Sequence, residues 1–339
     1  MERKLASIRT INEILPIEGA DNIELAVVDG WKVVVAKNVG HKVGDSVIYC
    51  EIDSFLPIKD EFEFLRKSSY KKLSDGTEGF RLKTIKLRRQ VSQGLLIPVD
   101  VLLQYGVSSD DVYEGLDVTD LLGIIKYEPP IPAELAGKVK GNFPSFLRKT
   151  DEERVQNLTK YYESYKKHTF YITEKLDGSS ATFYYNNGVF GVCSRNLELI
   201  ESEGNTFWKV AKELDLENKM KEFGTNISIQ GELIGEGIQG NPYNIKGHTV
   251  RFFNLFDIDL QEYHNLSMFE TIIKQLQLQT VPILNTNFKL PDTIEELLVI
   301  ADSKSVLNPN FDREGIVIRS LDRKISFKVI SNKFLLKEK

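Results

Sequence analysis

Short apolar and β-branched runs recur through the first 125 residues of the chain. They predict strands over 6–15, 23–28, 31–36, 46–51, 80–87 and 94–98. Turn signals such as Asp29-Gly30, Val43-Gly44-Asp45 and Asp75-Gly76 separate them. Five or six short strands of this kind fit a small β-barrel of the OB type, which is a common nucleic-acid-binding fold.

The pattern changes after residue 150, where helical and strand periods alternate. Amphipathic helices are predicted over 206–214, 269–278 and 293–303, and a further helix over 151–167 is expected to pack on this second part. Strands are predicted over 171–174, 180–185, 227–233, 251–258, 315–319 and 325–330. This mixture predicts an α+β domain.

Proline and glycine are dense between the two parts, beginning with Glu128-Pro129-Pro130-Ile131-Pro132, and this composition breaks helices and strands. We therefore expect an N-terminal domain over 1–125, a linker over 126–149 and a second domain over 150–339.

Charge, cysteine content and hydropathy indicate where the protein is located but exclude few functions. The net charge of −5 gives no global basic field for nucleic acid, although local basic tracts can coexist with an acidic total. Cys50 and Cys193 are far apart and lack metal-site spacing, which indicates a reducing compartment. Since the N-terminus lacks a signal-peptide core and no run of 18 apolar residues occurs, we expect a cytoplasmic or nuclear protein without a membrane span.

One local basic tract does stand out in the N-terminal part. Residues 81–90 alternate basic with apolar residues, so a strand there would place Arg81, Lys83 and also Lys86 and Arg88 on one strip. A phosphate-binding strip and an ordinary solvated barrel face explain this pattern equally well.

The chemistry centres on a turn between two predicted strands, Glu174-Lys175-Leu176-Asp177-Gly178-Ser179-Ser180. A lysine in a cleft is costly to bury unless its charge is paired or its pKa falls, and such lysines serve as reactants. Gly178 is expected to let a large ligand approach the backbone. Taken alone, this motif is typical of an ordinary surface turn.

Further motifs follow in a fixed order, and together they are more specific: Ser194-Arg195-Asn196, Gly231-Glu232-Leu233, Phe253-Asn254-Leu255-Phe256-Asp257, Glu314-Gly315-Ile316-Val317-Ile318 and Phe327-Lys328. This order resembles that of the covalent nucleotidyltransferases, which comprise DNA ligases, RNA ligases and mRNA capping enzymes. Lys175 is then the candidate nucleophile on the α-phosphorus of a nucleoside triphosphate.

Such a nucleophile has to be neutral, which at a pKa of about 10.4 costs roughly 4–5 kcal/mol at pH 7. A nearby divalent metal would lower that cost. Asp177, Glu232 and Glu314 supply the negative charge to hold the metal directly or through its waters.

Cations and one aromatic residue complete the candidate nucleotide site. Lys328 suits the α-phosphate, and Arg195 suits a phosphate or ribose. Phe253 is a candidate to stack on the base, although a core position explains it nearly as well.

The whole chain, including Asp29-Gly30-Trp31 and Val43-Gly44-Asp45-Ser46-Val47, resembles the ATP-dependent nick-sealing RNA ligases. The resemblance implies an N-terminal OB-type barrel followed by an ATP-grasp-like/ligase-type adenylyltransferase domain. It implies that Lys175 becomes adenylylated, that AMP passes to an RNA 5′-phosphate, and that the 3′-OH then displaces AMP.

The same resemblance assigns further roles. Glu174 would contact the adenosine, Arg195 the ribose or phosphate, and Phe253 the adenine. Asp177, Glu232 and Glu314 would bind the waters of a catalytic Mg²⁺ or Mn²⁺, and a second metal would orient the pyrophosphate. The expected partners are ATP and RNA, as a nicked duplex RNA or an RNA:DNA hybrid, and the expected state is a monomer.

Two departures from the family pattern are visible. The last motif of the family often has two lysines flanking one residue, whereas Ser326 and Ile330 flank Lys328 at that spacing. Lys324 or Lys333 could replace the missing partner. Only 11 residues follow Lys328, which disfavours the C-terminal OB domain of DNA ligases and capping enzymes.

Three alternatives therefore stay open behind the RNA ligase interpretation. They are a DNA ligase, a GTP-dependent mRNA capping guanylyltransferase, and a non-catalytic nucleic-acid-binding protein.

Overall fold

A computed structural model describes residues 3–73, 75–127 and 138–337. Contacts within the chain divide it into two units. The first holds the described residues of Met1–Pro130, Val155–Tyr162 and Leu335–Lys339, and the second those of Ile131–Arg154 and Glu163–Phe334. The proline-rich start of the predicted linker, residues 128–137, lies outside the described residues.

The first unit is built from two antiparallel sheets. Its strands are β1 (Ala6–Pro16), β2 (Ile23–Val28), β3 (Trp31–Ala36), β4 (Ser46–Cys50), β5 (Ser54–Pro57), β6 (Tyr70–Lys72), β7 (Glu78–Arg81), β8 (Ile85–Leu87), β9 (Gln90–Ser92), β10 (Leu95–Pro98) and β11 (Ile125–Lys126). One sheet has the order β10-β4-β1-β2-β3 and the other β11-β5-β7-β6, while β8 and β9 form a separate hairpin.

Short helices connect these strands: α1 (Arg66–Ser69), α2 (Thr119–Leu122) and the 3₁₀ helices Lys37–Val39, Asp60–Leu65, Val99–Tyr105 and Ser109–Asp111. Apolar residues from both sheets share one core, in which Ile8, Ile48, Leu56 and Phe80 are fully buried. The fully buried Trp31 is a core residue.

A segment distant in sequence completes the first unit. Residues Val155–Leu158 form a 3₁₀ helix and Thr159–Tyr165 form α3. The carbonyl of Gln156 accepts a hydrogen bond from the Gly30 amide at 3.0 Å, and a Cβ on Gly30 would lie 2.9 Å from the Gln156 Cα. The predicted helix over 151–167 is therefore wrong in extent, and Val155–Tyr162 packs in the first unit instead of the second.

The second unit also contains two main sheets. Its strands are β12 (Lys138–Asn142), β13 (Glu153–Arg154), β14 (Phe170–Lys175), β15 (Ser179–Asn186), β16 (Val189–Cys193), β17 (Leu197–Ile200), β18 (Ile227–Gly235), β19 (His248–Asp257), β20 (Glu262–Tyr263), β21 (Ile283–Phe288), β22 (Gly315–Ser320) and β23 (Ser326–Ile330). A seven-stranded sheet has the order β12-β17-β16-β15-β18-β19-β20, and a five-stranded sheet has the order β13-β23-β22-β14-β21.

The helices of this unit are α4 (Thr206–Glu213), α5 (Leu216–Phe223), α6 (Leu266–Gln275), α7 (Ile294–Ala301) and α8 (Asn332–Leu335). The apolar faces of α4, α5 and α6 bury Phe207, Met220, Phe269 and Ile272 in a core shared with the seven-stranded sheet, which accounts for the helical spacing of these three segments. None of the helices in the described ranges has the length and apolarity to cross a membrane.

Candidate active site

Lys175 lies where the chain passes from one sheet of the second unit to the other. It ends β14 in the five-stranded sheet, and β15 of the seven-stranded sheet begins after Leu176, Asp177 and Gly178. Lys175 is opposite Gly315 in the antiparallel β14–β22 ladder. This register brings the residue before Gly315, the acid Glu314, to the lysine.

The Lys175 Nζ donates a hydrogen bond to Glu314 Oε1 at 2.6 Å, and both side chains are half-buried. Burial alone disfavours the ammonium form. The carboxylates of Glu314, Glu232 and Asp177 outweigh that effect and raise the pKa of Lys175. The lysine is consequently an ammonium held by acids, and it has to lose a proton before it can act as a nucleophile.

Glu232 gives this group of acids an unusual protonation behaviour. It lies on β18, opposite Ser180 of β15. Burial raises the pKa of Glu232 to about 7; Lys175 opposes the rise, and the negative charge of Glu314 adds to it. Three carboxyl groups therefore act on one ammonium, and this excess of negative charge fits a bound cation.

Direct metal coordination is not preformed here. Over the described ranges, no group of three His, Cys, Asp or Glu side chains lies close enough together to hold a metal ion. The backbone amide of Asp177 donates to the Tyr243 hydroxyl at 2.6 Å, which fixes the turn that carries its carboxylate.

Glu174 is almost completely buried, with 1% of its surface exposed. Its Oε2 accepts a hydrogen bond from the Val306 amide at 2.8 Å, and the Ser305 hydroxyl lies close by. Among the described residues, Oε1 makes no hydrogen bond of acceptable geometry. Burial raises the pKa of Glu174, against the opposing effects of Ser305, Val306 and Arg313. Such a buried acceptor oxygen fits an amino group of a ligand.

Phe253 owes its position to a β-bulge. Gln230 is opposite Asn254, whereas the next residue, Gly231, is opposite Phe252, so Phe253 is the extra residue of β19. The bulge directs Phe253 away from the main core, and its ring packs against the cluster formed by Leu176, Ile234, Tyr243 and Val281. The Arg319 guanidinium carbon lies 5.6 Å from the Phe253 ring centroid.

Arg195 and Lys328 meet at one carboxylate, that of Asp151. Arg195 Nη2 lies 3.0 Å from Asp151 Oδ2, and Lys328 Nζ lies 3.2 Å from Asp151 Oδ1. Arg154 is the register partner of Lys328 in the parallel β13–β23 pair. A pair of cations on two oxygens of a single anionic group is an arrangement suited to a phosphate.

The structure thus brings most of the predicted site residues into two connected groups. Lys175, Asp177, Glu232 and Glu314 interact electrostatically, and Arg195 is within electrostatic reach of Glu232. A Cβ on Gly178 would lie 2.5 Å from the Leu233 carbonyl oxygen, so the close approach of β18 requires a glycine at this position. The approach of a ligand to this backbone stays a prediction.

Sequence reasoning missed Asp151, Tyr243 and Arg319. Asp151 and Tyr243 lie in polar or loop segments that give no signal. Arg319 is 2% exposed at the end of an apolar strand, and a charged residue in such a strand is a signal that could have been used. Of the candidates for the second lysine, Lys324 and Lys333 are both exposed.

Comparisons with known proteins match both parts of the chain. A family model described as an OB-fold domain matches residues 5–99, which confirms the predicted OB-type fold, and one described as RNA ligase matches residues 168–334. A comparison with curated proteins found no match.

Solved structures of Naegleria gruberi RNA ligase are similar over the full length. An aspartate-to-alanine mutant in the apo form is 42% identical, with a TM-score of 0.93, over 99% of this chain and 98% of that one. A lysine-to-alanine mutant with ATP and Mn is 43% identical, with a TM-score of 0.92, over 99% of each chain. A glutamate-to-alanine mutant with AMP and Mn is 43% identical, with a TM-score of 0.93, over 99% of each chain.

Proposed function

Because the chain belongs to the RNA ligase family, we propose that it is an ATP-dependent RNA ligase whose covalent intermediate forms on Lys175. The observation that carries the site assignment is the Lys175–Glu314 contact of 2.6 Å, made at the junction of two sheets beside Glu232 and Asp177. The ATP and Mn in structures of the Naegleria ligase support the choice of nucleotide and of a divalent metal.

The proposed reaction has three balanced steps. The neutral Lys175 Nζ bonds to the α-phosphorus of ATP, pyrophosphate leaves, and the amine proton is lost. An oxygen of the RNA 5′-phosphate then attacks the same phosphorus, and the Lys175 nitrogen leaves as it regains a proton. Finally, the RNA 3′-OH attacks the phosphorus of the activated 5′-end and loses its proton, AMP leaves, and a phosphodiester remains.

The carboxylates around Lys175 prepare it for the first step. Glu314 holds the ammonium in place, and Glu232 and Asp177 add negative charge. These three acids would hold Mg²⁺ or Mn²⁺ through its water ligands, and a second metal would orient the leaving pyrophosphate. When bound, the metal supplies positive charge that offsets the acids and favours the neutral amine.

The remaining side chains would bind the nucleotide. Glu174 Oε1, a buried acceptor, suits a donor on the adenosine, and Phe253 offers a ring face for the adenine. Arg195 and Lys328, which share Asp151, would exchange that carboxylate for phosphate oxygens as charge grows on the α-phosphate. Arg154, in register with Lys328, is our candidate for the cation that the last motif lacks.

The finer assignments follow from the same proposal. We propose a nicked duplex RNA or RNA:DNA hybrid as substrate, a monomer as the working form, and a cytoplasmic or nuclear location. We also propose an OB-fold domain over 1–125, a linker over 126–149 and the adenylyltransferase domain over 150–339.

Incubation with labelled ATP and Mg²⁺ or Mn²⁺ tests the intermediate. Wild-type protein should gain one AMP, located on Lys175 by mass spectrometry, and Lys175→Ala should gain none. Labelling by GTP in place of ATP would indicate a capping enzyme, and RNA binding without labelling would indicate a non-catalytic protein.

Sealing assays test the substrate. Nicks with an RNA 3′-OH strand should be sealed, and matched nicks with a DNA 3′-OH strand should be sealed far more slowly. Equal sealing of both would contradict an RNA ligase and favour a DNA ligase.

A further inference from the structure

The hairpin formed by β8 and β9 carries a turn made of two arginines. Leu87 is opposite Gln90 in the ladder, so Arg88 and Arg89 alone connect the strands. Both have positive φ, 46° and 67°. This is the geometry of a type I′ turn, in which Asn-Gly is the favoured pair because L-residues with long side chains are strained there.

Two strained arginines, where Asn-Gly would fit without strain, indicate that their side chains serve a purpose outside the turn. Backbone outliers of this kind are a reason to look for a functional site. A turn that only joined two barrel strands would have no need of two guanidinium groups.

The surroundings of the hairpin supply a second, independent observation. Between Glu78 and Asp100 the sequence contains five cations and no acid: Arg81, Lys83, Lys86, Arg88 and Arg89. Arg81 lies over the Tyr127 ring, with its guanidinium carbon 4.1 Å from the centroid. The other four are exposed, and none makes an ion pair or side-chain hydrogen bond with the residues that the structure describes.

Three other cations of the same unit are paired with acids. Arg3 pairs with Glu51 at 2.7 Å, Arg66 with Glu63 at 2.6 Å, and Lys72 with Glu78 at 2.9 Å. Ile85 and Leu87 of the hairpin are also exposed, by 42% and 40%, so both faces of β8 are open to a partner. The hairpin is therefore a local cationic arm on an acidic chain.

We propose that this arm, residues Lys83–Arg89, binds the sugar–phosphate backbone of the RNA substrate, with Arg88 and Arg89 on phosphates. The inference rests on the proposed RNA ligase function, which supplies a polyanion as substrate. Guanidinium groups pair well with phosphate oxygens, and aliphatic side chains such as Ile85 and Leu87 can pack on the sugars.

The turn geometry allows both charges to be removed without destabilising the hairpin. The double variant Arg88→Asn/Arg89→Gly removes two charges and gives the turn its preferred residues, so its melting temperature should equal or exceed that of wild type. Two further variants serve as controls. Arg88→Lys/Arg89→Lys keeps the charges, and Lys209→Gln/Lys212→Gln removes two exposed charges from α4.

We expect the Asn-Gly variant to bind a nicked RNA duplex about tenfold more weakly at low salt. Its plot of log K against log salt should be shallower by about 1.5, since each lost phosphate contact removes roughly 0.7–0.9 from the slope. The Lys-Lys variant and the α4 variant should keep the wild-type slope, and adenylylation by ATP alone should be unchanged in all three.

Unchanged RNA affinity and slope in the Asn-Gly variant would overturn the proposal. So would loss of binding to vesicles of anionic lipid with RNA binding intact, because the arm would then serve a membrane. Failure of wild-type protein to form an adenylate or to seal RNA would instead refute the proposed function, so the two failures are distinguishable.

Discussion

Glu174 is a buried acid, so its ionisation affects the stability of the fold. Its folded pKa is raised above the ordinary value of 4.5. The stability that it contributes is therefore fully present below pH 4.5 and is lost as the pH rises through the folded pKa. At neutral pH, the fold bears the cost of a buried charge.

Glu174→Gln removes that charge with little change in shape. Near pH 8 the variant should melt higher than wild type, by about 2–4 °C for each kcal/mol regained, and the difference should disappear by pH 4. The same variant should need more ATP for half-maximal adenylylation, because an amide nitrogen replaces an acceptor oxygen. Melting curves at several pH values check the first effect; a variant less stable at pH 8 would contradict it.

Glu314 sets the charge of Lys175. Because burial already disfavours the ammonium and Glu314 is the strongest opposing group, Glu314→Gln should lower the pKa of Lys175. In metal-free protein, Lys175 should then react with an amine-directed reagent at lower pH than in wild type. At pH 8 its labelling rate should rise about tenfold for each unit by which its pKa falls. Peptide mapping after labelling measures this, and Glu213→Gln on α4 is a control with no expected effect.

At the scale of secondary structure, the β22–β23 ladder carries Lys328 on β23, and Glu314 directly precedes β22. Gly315 makes that ladder possible, because a Cβ there would overlap the Val329 carbonyl oxygen. Gly315→Ala should lower the stability by about 1–3 kcal/mol, the usual cost of overpacking, and should slow adenylylation. Gly204→Ala, with nothing within 4 Å, is the matched control. Equal melting temperatures for the two variants would exclude the proposed clash.

Strand positions follow from the sequence where periodicity is regular. The structure has strands at Ile23–Val28 and Trp31–Ala36, as predicted, and α4, α6 and α7 within a few residues of prediction. The predicted strand over 80–87 is wrong as a single element, because Leu82 and Thr84 turn inward and separate β7 from β8. Alternation cannot reveal such a break when both sides of it alternate correctly.

The sequence likewise indicates some residues of the candidate site and misses others. Lys175 and Glu314 stand in apolar contexts that draw attention to them, whereas Asp151 lies in a run of charged residues that resembles any solvated segment. The bulge at Phe253 also leaves no trace in the sequence, because one extra residue in a strand does not alter its composition.

At the scale of the whole molecule, Trp31 and Glu51 of the first unit bind a residue that lies more than a hundred positions further along the chain. Asn157 accepts a hydrogen bond from the Trp31 indole at 2.6 Å and donates one to Glu51 at 2.6 Å. Asn157→Ala should lower the stability by about 1–3 kcal/mol, since buried polar groups lose partners. Exposed Asn38→Ala is the control, and thermal unfolding followed by tryptophan fluorescence measures both.

A fragment ending at residue 125 lacks this segment altogether. It should melt below the first unit of the full chain, and a fragment of equal stability would show that residues 155–162 contribute nothing.

The crossing of the chain between two sheets at Lys175 has one more consequence. Glu314 is attached to the five-stranded sheet, and Glu232 lies in the seven-stranded sheet. Any relative motion of the two sheets therefore changes the distance between the two acids. The pKa of Lys175 then depends on how closely the two sheets approach each other. If Lys175 is the nucleophile, as we propose, a bound nucleotide that drew the sheets together would change the protonation of its amine.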